Sequence, residues 1–332
     1  MSRRDDPSLP LRDVVVIGAS AGGVAALRSI ASALPAQFPA AVLMVLHTGA
    51  YPSRLPQILA AVGPNPADFA VDGESLRPGR IVVAPPDRHL LIQDGTVAVT
   101  HGPKEHHSRP AIDPLFRSAA LWGGPRIVGV VLSGRNDDGT AGLQAVKSCG
   151  GVAIVQDPDD AEEPIMPRSA LLHVEVDHVV PLANLVPTLV QLVGRPVGAT
   201  PPVPERLVLE HAASLSEDDP MDKLYAIGKP SPLVCPDCNG TLFELTGTDP
   251  PRFRCHTGHA FSIRSLKQSQ AEATEVALWT AIRSLQERER LLRKVSELDR
   301  IAGDAHHADQ ADMEAQRLAD HVGVLRQLID EV

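Results

Sequence analysis

Aromatic residues are scarce in this chain, with two Trp, two Tyr and six Phe among 332 residues. That disfavours a large hydrophobic ligand pocket. There is no excess of positive charge either: the formal net charge is -10. Nucleic acid and anionic membranes reward a basic face, so neither is an expected partner. Apolar runs are broken by Gly, Pro or His before they reach bilayer length, and the two early arginines precede no apolar stretch. Membrane insertion and a signal peptide are therefore not expected. Cysteine is also rare. Three of the four, Cys235, Cys238 and Cys255, sit together while Cys149 stands apart, a pattern that fits a metal site in a reducing compartment better than a disulfide framework. A soluble, cytoplasmic protein is expected.

What the chain does have is alternation. Short Val/Ile-rich runs at 14–17, 42–46, 80–84, 127–132 and 152–156 read as buried strands. Helical patterns occupy 24–34, 54–62, 114–122, 141–149 and 182–193. Asp94-Gly95 marks a hairpin. The expected fold is α/β, a mainly parallel sheet with helices on both faces, with ligands gathered at the carboxyl ends of the strands. The expected division is a catalytic domain over 11–193, a Pro-rich linker over 194–232, a zinc-ribbon-like module over 233–264 and a helical hairpin over 265–332.

The segment "VVVIGASAGG" ends a strand at a tight turn. A dinucleotide fingerprint fails on glycine spacing, and on His47 where an acidic residue would end the second strand; a Walker loop lacks its Gly-Lys-Ser/Thr. Gly18-Ala-Ser-Ala-Gly22 instead suits a nucleophile on a strand-to-helix turn, with the helix N-terminus facing a developing oxyanion. A helix-capping serine is the plainer alternative for Ser20 taken alone. Two partners favour the nucleophile: His47 in "VLHTG" and Asp138 in "LSGRNDDGTAGL", each just beyond a strand. Serine, base and orienting acid are what acyl transfer needs. Asp137 is the rival for the acid.

These segments resemble the catalytic domain of the chemotaxis protein-glutamate methylesterases, the CheB family. Further matching stretches are "IVVAPPDRHLLI", "SRPAIDPLFRSAA" and "PIMPRSAL". The resemblance implies Ser20 as nucleophile, His47 as base and Asp138, directly before the glycine, as the acid. It also implies an oxyanion held by the backbone N–H groups of Ala21 and Arg135. Arg109 and Arg117 are candidates for orienting acidic receptor surface in the substrate cleft. The family's acid loop reads Gly-Met-Gly-x-Asp-Gly. Here it is Gly134-Arg135-Asn136-Asp137-Asp138-Gly139, and a positive φ at Asn136 would be costly. Many family members carry a receiver domain ahead of the esterase; with Leu11 already opening the match, control by such a domain in cis is not expected.

Cys235-Pro-Asp-Cys238-Asn-Gly and "RCHTGHAF" read as two halves of a structural zinc site. Cys255 joins the first pair, and His259 is preferred to His256 because Gly258 lets the turn close. No cofactor is expected for catalysis. His106-His107 and His306-His307 lie in polar contexts and are expected to be solvated. The expected activity is hydrolysis of methylated glutamates, with glutamine deamidation by the same chemistry, on a chemoreceptor or similar coiled-coil protein. The competing reading is a signalling adaptor whose esterase domain is degenerate. The hairpin is expected to bind partners or a second copy, and a chain ending near Val193 to keep its activity on small esters.

Overall fold

Uninterrupted runs of Val, Ile and Leu form the centre of this protein, described by a computed structural model over residues 10–215 and 221–331. Strands β1 (Val14–Ala19), β2 (Ala41–Leu46), β3 (Ala67–Phe69) and β4 (Arg80–Val83) precede a hairpin of β5 (His89–Gln93) and β6 (Thr96–Thr100). Then come β7 (Ile127–Val131), β8 (Val152–Gln156) and β9 (His178–Val180). Apart from the hairpin these make one seven-stranded parallel sheet in the order β3-β4-β2-β1-β7-β8-β9.

Both faces are covered, which is why the strands need no polar alternation. Val14 and Val16 face a core shared with α3 (Ile112–Gly123), α4 (Thr140–Ser148) and α5 (Ile165–His173). Val15 and Ile17 face the other core, completed by α1 (Gly23–Ala33), α2 (Leu55–Ala60) and α6 (Leu182–Leu192). The chain leaves β1 towards β2 on one side and reaches β7 on the other. That places the change of direction, where clefts form, at the carboxyl end of β1.

The stretch expected as a linker carries two helices, α7 (Glu205–Leu215) and α8 (Met221–Ile227). Beyond them β10 (Gly228–Val234), β11 (Thr241–Leu245), β12 (Arg252–Cys255) and β13 (Ala260–Ser262) form an antiparallel sheet that carries the cysteines. Residues up to Ser265 belong to one compact unit with the large sheet.

Buried ion pairs tie this unit together. Glu105 receives Arg117 at 2.7 Å and Arg254 at 2.9 Å. Glu210 of α7 receives Arg252 at 2.6 Å. Charges buried this deeply persist only when paired.

The second unit, from Leu266 on, is a helix pair made of the rest of α9 (Ile263–Ile301) and α10 (Ala305–Glu331), reversing at Gly303. Ala308, Ala315, Leu318 and Val322 are buried along it, whereas Val276, Leu291 and Leu298 remain exposed. Among the described residues no helix is long and apolar enough to cross a membrane.

Candidate active site

Parallel register brings the first two site residues together. Ala19 pairs with Leu46, so Ser20 and His47 leave adjacent strands at the same level. The Ser20 N–H donates to Ser133 O at 2.9 Å, and the His47 N–H to Ala19 O at 3.3 Å, which fixes both exits. Gly18 is required just before: a Cβ there would lie 2.3 Å from the Ile112 side chain. His47 Nδ1 stands 3.1 Å from Ser20 Oγ, and its Nε2 stands 2.7 Å from Asp138 Oδ2. An ionised carboxylate only accepts, so Nε2 carries the proton and Nδ1 is free to take the serine's.

Asp138 is fully buried and accepts more than the histidine. Its Oδ2 receives the Ile112 N–H at 2.6 Å, and its Oδ1 receives the Asp113 N–H at 2.9 Å, both at the start of α3. Asp113 returns the arrangement: its Oδ1 accepts the N–H groups of Gly139 at 2.9 Å and Gly142 at 2.6 Å, at the start of α4. Each carboxylate therefore caps the other's helix.

His106 lies against both acids. It was expected in solvent, yet it is buried, with Nε2 2.9 Å from Asp113 Oδ2 and 3.7 Å from Asp138 Oδ1. Burial alone would lower its pKa, but Asp138, Asp113 and Asp137 raise it to about 10. Burial likewise opposes ionisation of Asp138, yet the charge of His106 and the bonds from His47 and Ile112 bring it to about 2. Asp113 goes the other way, raised first by burial and then by the charge of Asp138.

Asp137, the rival acid, points elsewhere: its Oδ1 accepts Ser262 Oγ–H at 2.6 Å. Asn136 is not among the residues with positive φ, so the loop tolerates the loss of glycine without a left-handed turn. A Cβ on Gly134 would lie 3.0 Å from Ser20 Cβ, which places the backbone leading into Arg135 beside Ser20. Among the described residues the N–H groups of Ala21 and Arg135 have no hydrogen-bond partner. The Arg135 side chain turns outward to Glu163, 2.8 Å away.

Neither arginine chosen from sequence is free at the cleft. Arg117 is buried on Glu105, and the fork of Arg109 is taken by Asp87 Oδ1, 2.7 Å away, and Gly102 O. The open cleft beside Ser20 is lined by Ala21, Val24, Arg28, Leu46, Thr48 and Glu162. Arg28 is the cation there, and sequence reasoning missed it. Its signal was position, one turn beyond Val24 on the exposed side of α1.

The cysteine cluster assembles as expected. Donor atoms of Cys235, Cys238, Cys255 and His259 lie within 4.8 Å of one another, and His256 is outside the group. Cys238 Sγ is 3.6 Å from Cys255 Sγ, and Cys255 Sγ is 3.5 Å from His259 Nδ1. With metal–sulfur bonds of about 2.3 Å, a tetrahedral site needs sulfurs about 3.7 Å apart. The donor set fits such an ion. Gly258, at φ 95°, closes the second turn where a side chain would be strained. Hydrogen bonds from Cys235, His259 and Thr257 lower the pKa of the Cys255 thiol against the opposing effect of burial.

A strand-end serine, histidine and aspartate in hydrogen-bonded series is the equipment of a serine hydrolase. The CheB methylesterase profile matches residues 15–189, and this chain belongs to that family.

A Leptospira interrogans protein, provisionally named protein-glutamate methylesterase/protein-glutamine glutaminase, is 38% identical over 185 residues, 54% of this chain and 94% of that protein. The Anaeromyxobacter dehalogenans protein-glutamate methylesterase/protein-glutamine glutaminase 5 is also 38% identical, over 54% of this chain and 51% of its own length. The crystal structure of the Thermotoga maritima CheB methylesterase catalytic domain aligns with TM-score 0.52 and 33% identity, over 55% of this chain and 98% of that one.

Proposed function

We propose that this chain hydrolyses glutamate methyl esters, and deamidates glutamine, on methylated chemoreceptors or a similar helical signalling protein. The observation that carries the reading is the continuous series Ser20 Oγ, His47 and Asp138, with contacts of 3.1 and 2.7 Å.

Ser20 Oγ attacks the ester carbonyl as its proton passes to His47 Nδ1. Asp138 then faces the imidazolium. The N–H groups of Ala21 and Arg135 and the end of α1 receive the oxyanion. The tetrahedral intermediate collapses as His47 returns the proton to the departing methanol, or to ammonia from an amide. Water, activated by the same histidine, releases the carboxylate and restores Ser20.

The bond between His47 Nε2 and Asp138 argues against the adaptor reading: the helix caps alone would keep the acid, but a degenerate site has no use for a histidine aligned between it and Ser20. We assign a structural zinc to Cys235, Cys238, Cys255 and His259, four protein donors that leave no position for substrate. The helix pair, with its exposed Val276, Leu291 and Leu298, is the segment suited to meet a coiled-coil partner.

Methanol release from methylated receptor tests the reading. Wild-type protein should release methanol and Ser20→Ala should not. Hydrolysis confined to small esters would move the substrate class away from receptors.

A further inference from the structure

The turn Glu105-His106-His107-Ser108 is closed by the Ser108 N–H on Glu105 O at 3.0 Å. Both central residues are left-handed, His106 at φ 52° and His107 at φ 60°. Turns of this shape ordinarily take Asn and Gly, because other side chains crowd the backbone there. Two histidines in such positions call for an account of what their rings do.

His107 Nδ1 contacts Asp237 Oδ1, 2.9 Å away in the knuckle between Cys235 and Cys238. The His106 N–H donates to Ala260 O at 2.8 Å, on the last strand of the cysteine ribbon. The His106 ring reaches the opposite way, with Nε2 on Asp113 and Nδ1 on Ser265 Oγ at 3.2 Å. Ser265 Oγ also accepts the Ser262 N–H, and Ser262 Oγ–H holds Asp137. The turn thus joins the ribbon to the acid side of the Ser20–His47–Asp138 series.

We propose that His106 is a positioning residue for the triad's acid: held by the ribbon, its imidazolium keeps Asp138 charged and aimed at His47 within a cluster of three buried aspartates. The proposal rests on the reading of Ser20, His47 and Asp138 as the reacting set.

The charge arithmetic requires such a group. Asp113, Asp137 and Asp138 are each at most 2% exposed. The groups facing His106 are Asp113 from α3, Asp137 and Asp138 from the loop before α4, and the hydroxyl of Ser265, behind which lies that of Ser262. His47 lies across Asp138, and Arg252 acts on Asp113 from β12. With a neutral residue at 106 the carboxylates would share too little positive charge, and one would take up a proton. Asp113, already raised by burial and by the charge of Asp138, is the first to do so; it then holds the N–H groups of Gly139 and Gly142 less strongly, and Asp138 loses both its neighbouring cation and the cap that aims it at His47. The high pKa of His106 agrees with this role.

The test is His106→Asn, since asparagine tolerates the left-handed backbone, alongside Ser262→Ala, each in the full chain. On p-nitrophenyl acetate, His106→Asn should lower kcat about tenfold or more with KM unchanged. The acid limb of its pH profile should move up by about one unit, because removing a cation raises the pKa of Asp138. Ser262→Ala should lower kcat in the same sense by a smaller factor. Nitrogen-15 NMR of the wild type should show both His106 ring nitrogens protonated at pH 8.

A neutral His106 at pH 8 overturns the proposal whatever the activity. So does a folded His106→Asn protein with unchanged kcat and acid limb. If the wild type neither hydrolyses the ester nor reacts with a fluorophosphonate, the reading of the active site fails instead, and the NMR result still decides the state of His106.

Discussion

Asp113 and Asp138 cap each other's helices: Asp138 accepts the first N–H groups of α3, and Asp113, from the first turn of α3, accepts those of α4. The pair fixes the angle between two helices and the position of the carboxylate beside His47 at once. Side chains at an interlocked pair cannot be replaced singly without releasing both. The geometry of the Ser20–His47–Asp138 series is therefore a property of the packing between α3 and α4 as much as of the loop that bears Asp138.

Ser20→Ala should leave the fold unchanged, because alanine fits a turn already flanked by Ala19 and Ala21. Hydrolysis of a small activated ester should fall by on the order of 10⁴-fold or more. Stopped assays with matched circular dichroism spectra check this. Retention of activity within tenfold would remove Ser20 as nucleophile.

Asp138→Asn should cost on the order of 10⁴-fold in kcat, because an amide offers His47 no charge and can present the wrong tautomer partner. Asp137→Asn should cost far less, since its Oδ1 bonds Ser262 and not His47. The reverse ranking in steady-state kinetics would make Asp137 the acid.

The metal assignment separates two neighbouring histidines. His259→Ala should abolish stoichiometric zinc in purified protein and lower its melting temperature, whereas His256→Ala should retain the ion. Elemental analysis of the two variants decides between them. Equal loss in both would mean that the fourth ligand has been misassigned.

Much of this was legible in the sequence. Strands buried on both faces read as plain runs of Val and Ile, and Ser20 and His47 each follow such a run directly. Asp138 was distinguishable from Asp137 only through resemblance, because nothing in "NDDG" says which carboxylate turns inward.

His106 and Arg117 were unreadable for one shared reason. Each is buried by residues far along the chain: Ala260 and Ser265 in one case, Glu210 and, across Glu105, Arg254 in the other. A polar "KEHHSRP" looks solvated until something covers it. An arginine in the otherwise apolar "IDPLFRSAA" was the available warning, since burial of every neighbouring position forces a buried counter-charge.

The same ion pairs alter what truncation should do. Ending the chain near Val193 removes Glu210, Arg252 and Arg254, and leaves the Glu105–Arg117 pair uncovered. Such a protein should be less stable and less active on small esters than the full chain. Glu105→Gln in the full chain isolates the cause. It leaves Arg117 and Arg254 with only Glu210, 3.7 Å from each, and should cost about 3–5 kcal/mol, measured by urea unfolding. A truncated domain matching the full chain in melting temperature and rate would show that the ribbon is dispensable.

Stability should also report the charge on His106. Its folded pKa is raised from 6.5 to about 10, after the opposing effect of burial, by Asp138, Asp113 and Asp137. A group whose pKa is higher in the folded state stabilises that state fully below its unfolded pKa, and the contribution disappears as pH rises through the folded value. The window here runs from about 6.5 to about 10. Wild-type melting temperature should therefore decline across it. The wild-type curve sums every group that changes its protonation on unfolding, so the diagnostic quantity is the difference between wild type and His106→Asn. That difference should be largest near pH 6, on the order of a few kcal/mol, and should shrink steadily towards pH 10. A difference constant with pH would mean that His106 stabilises by shape and hydrogen bonding alone, with no charge placed among the three aspartates.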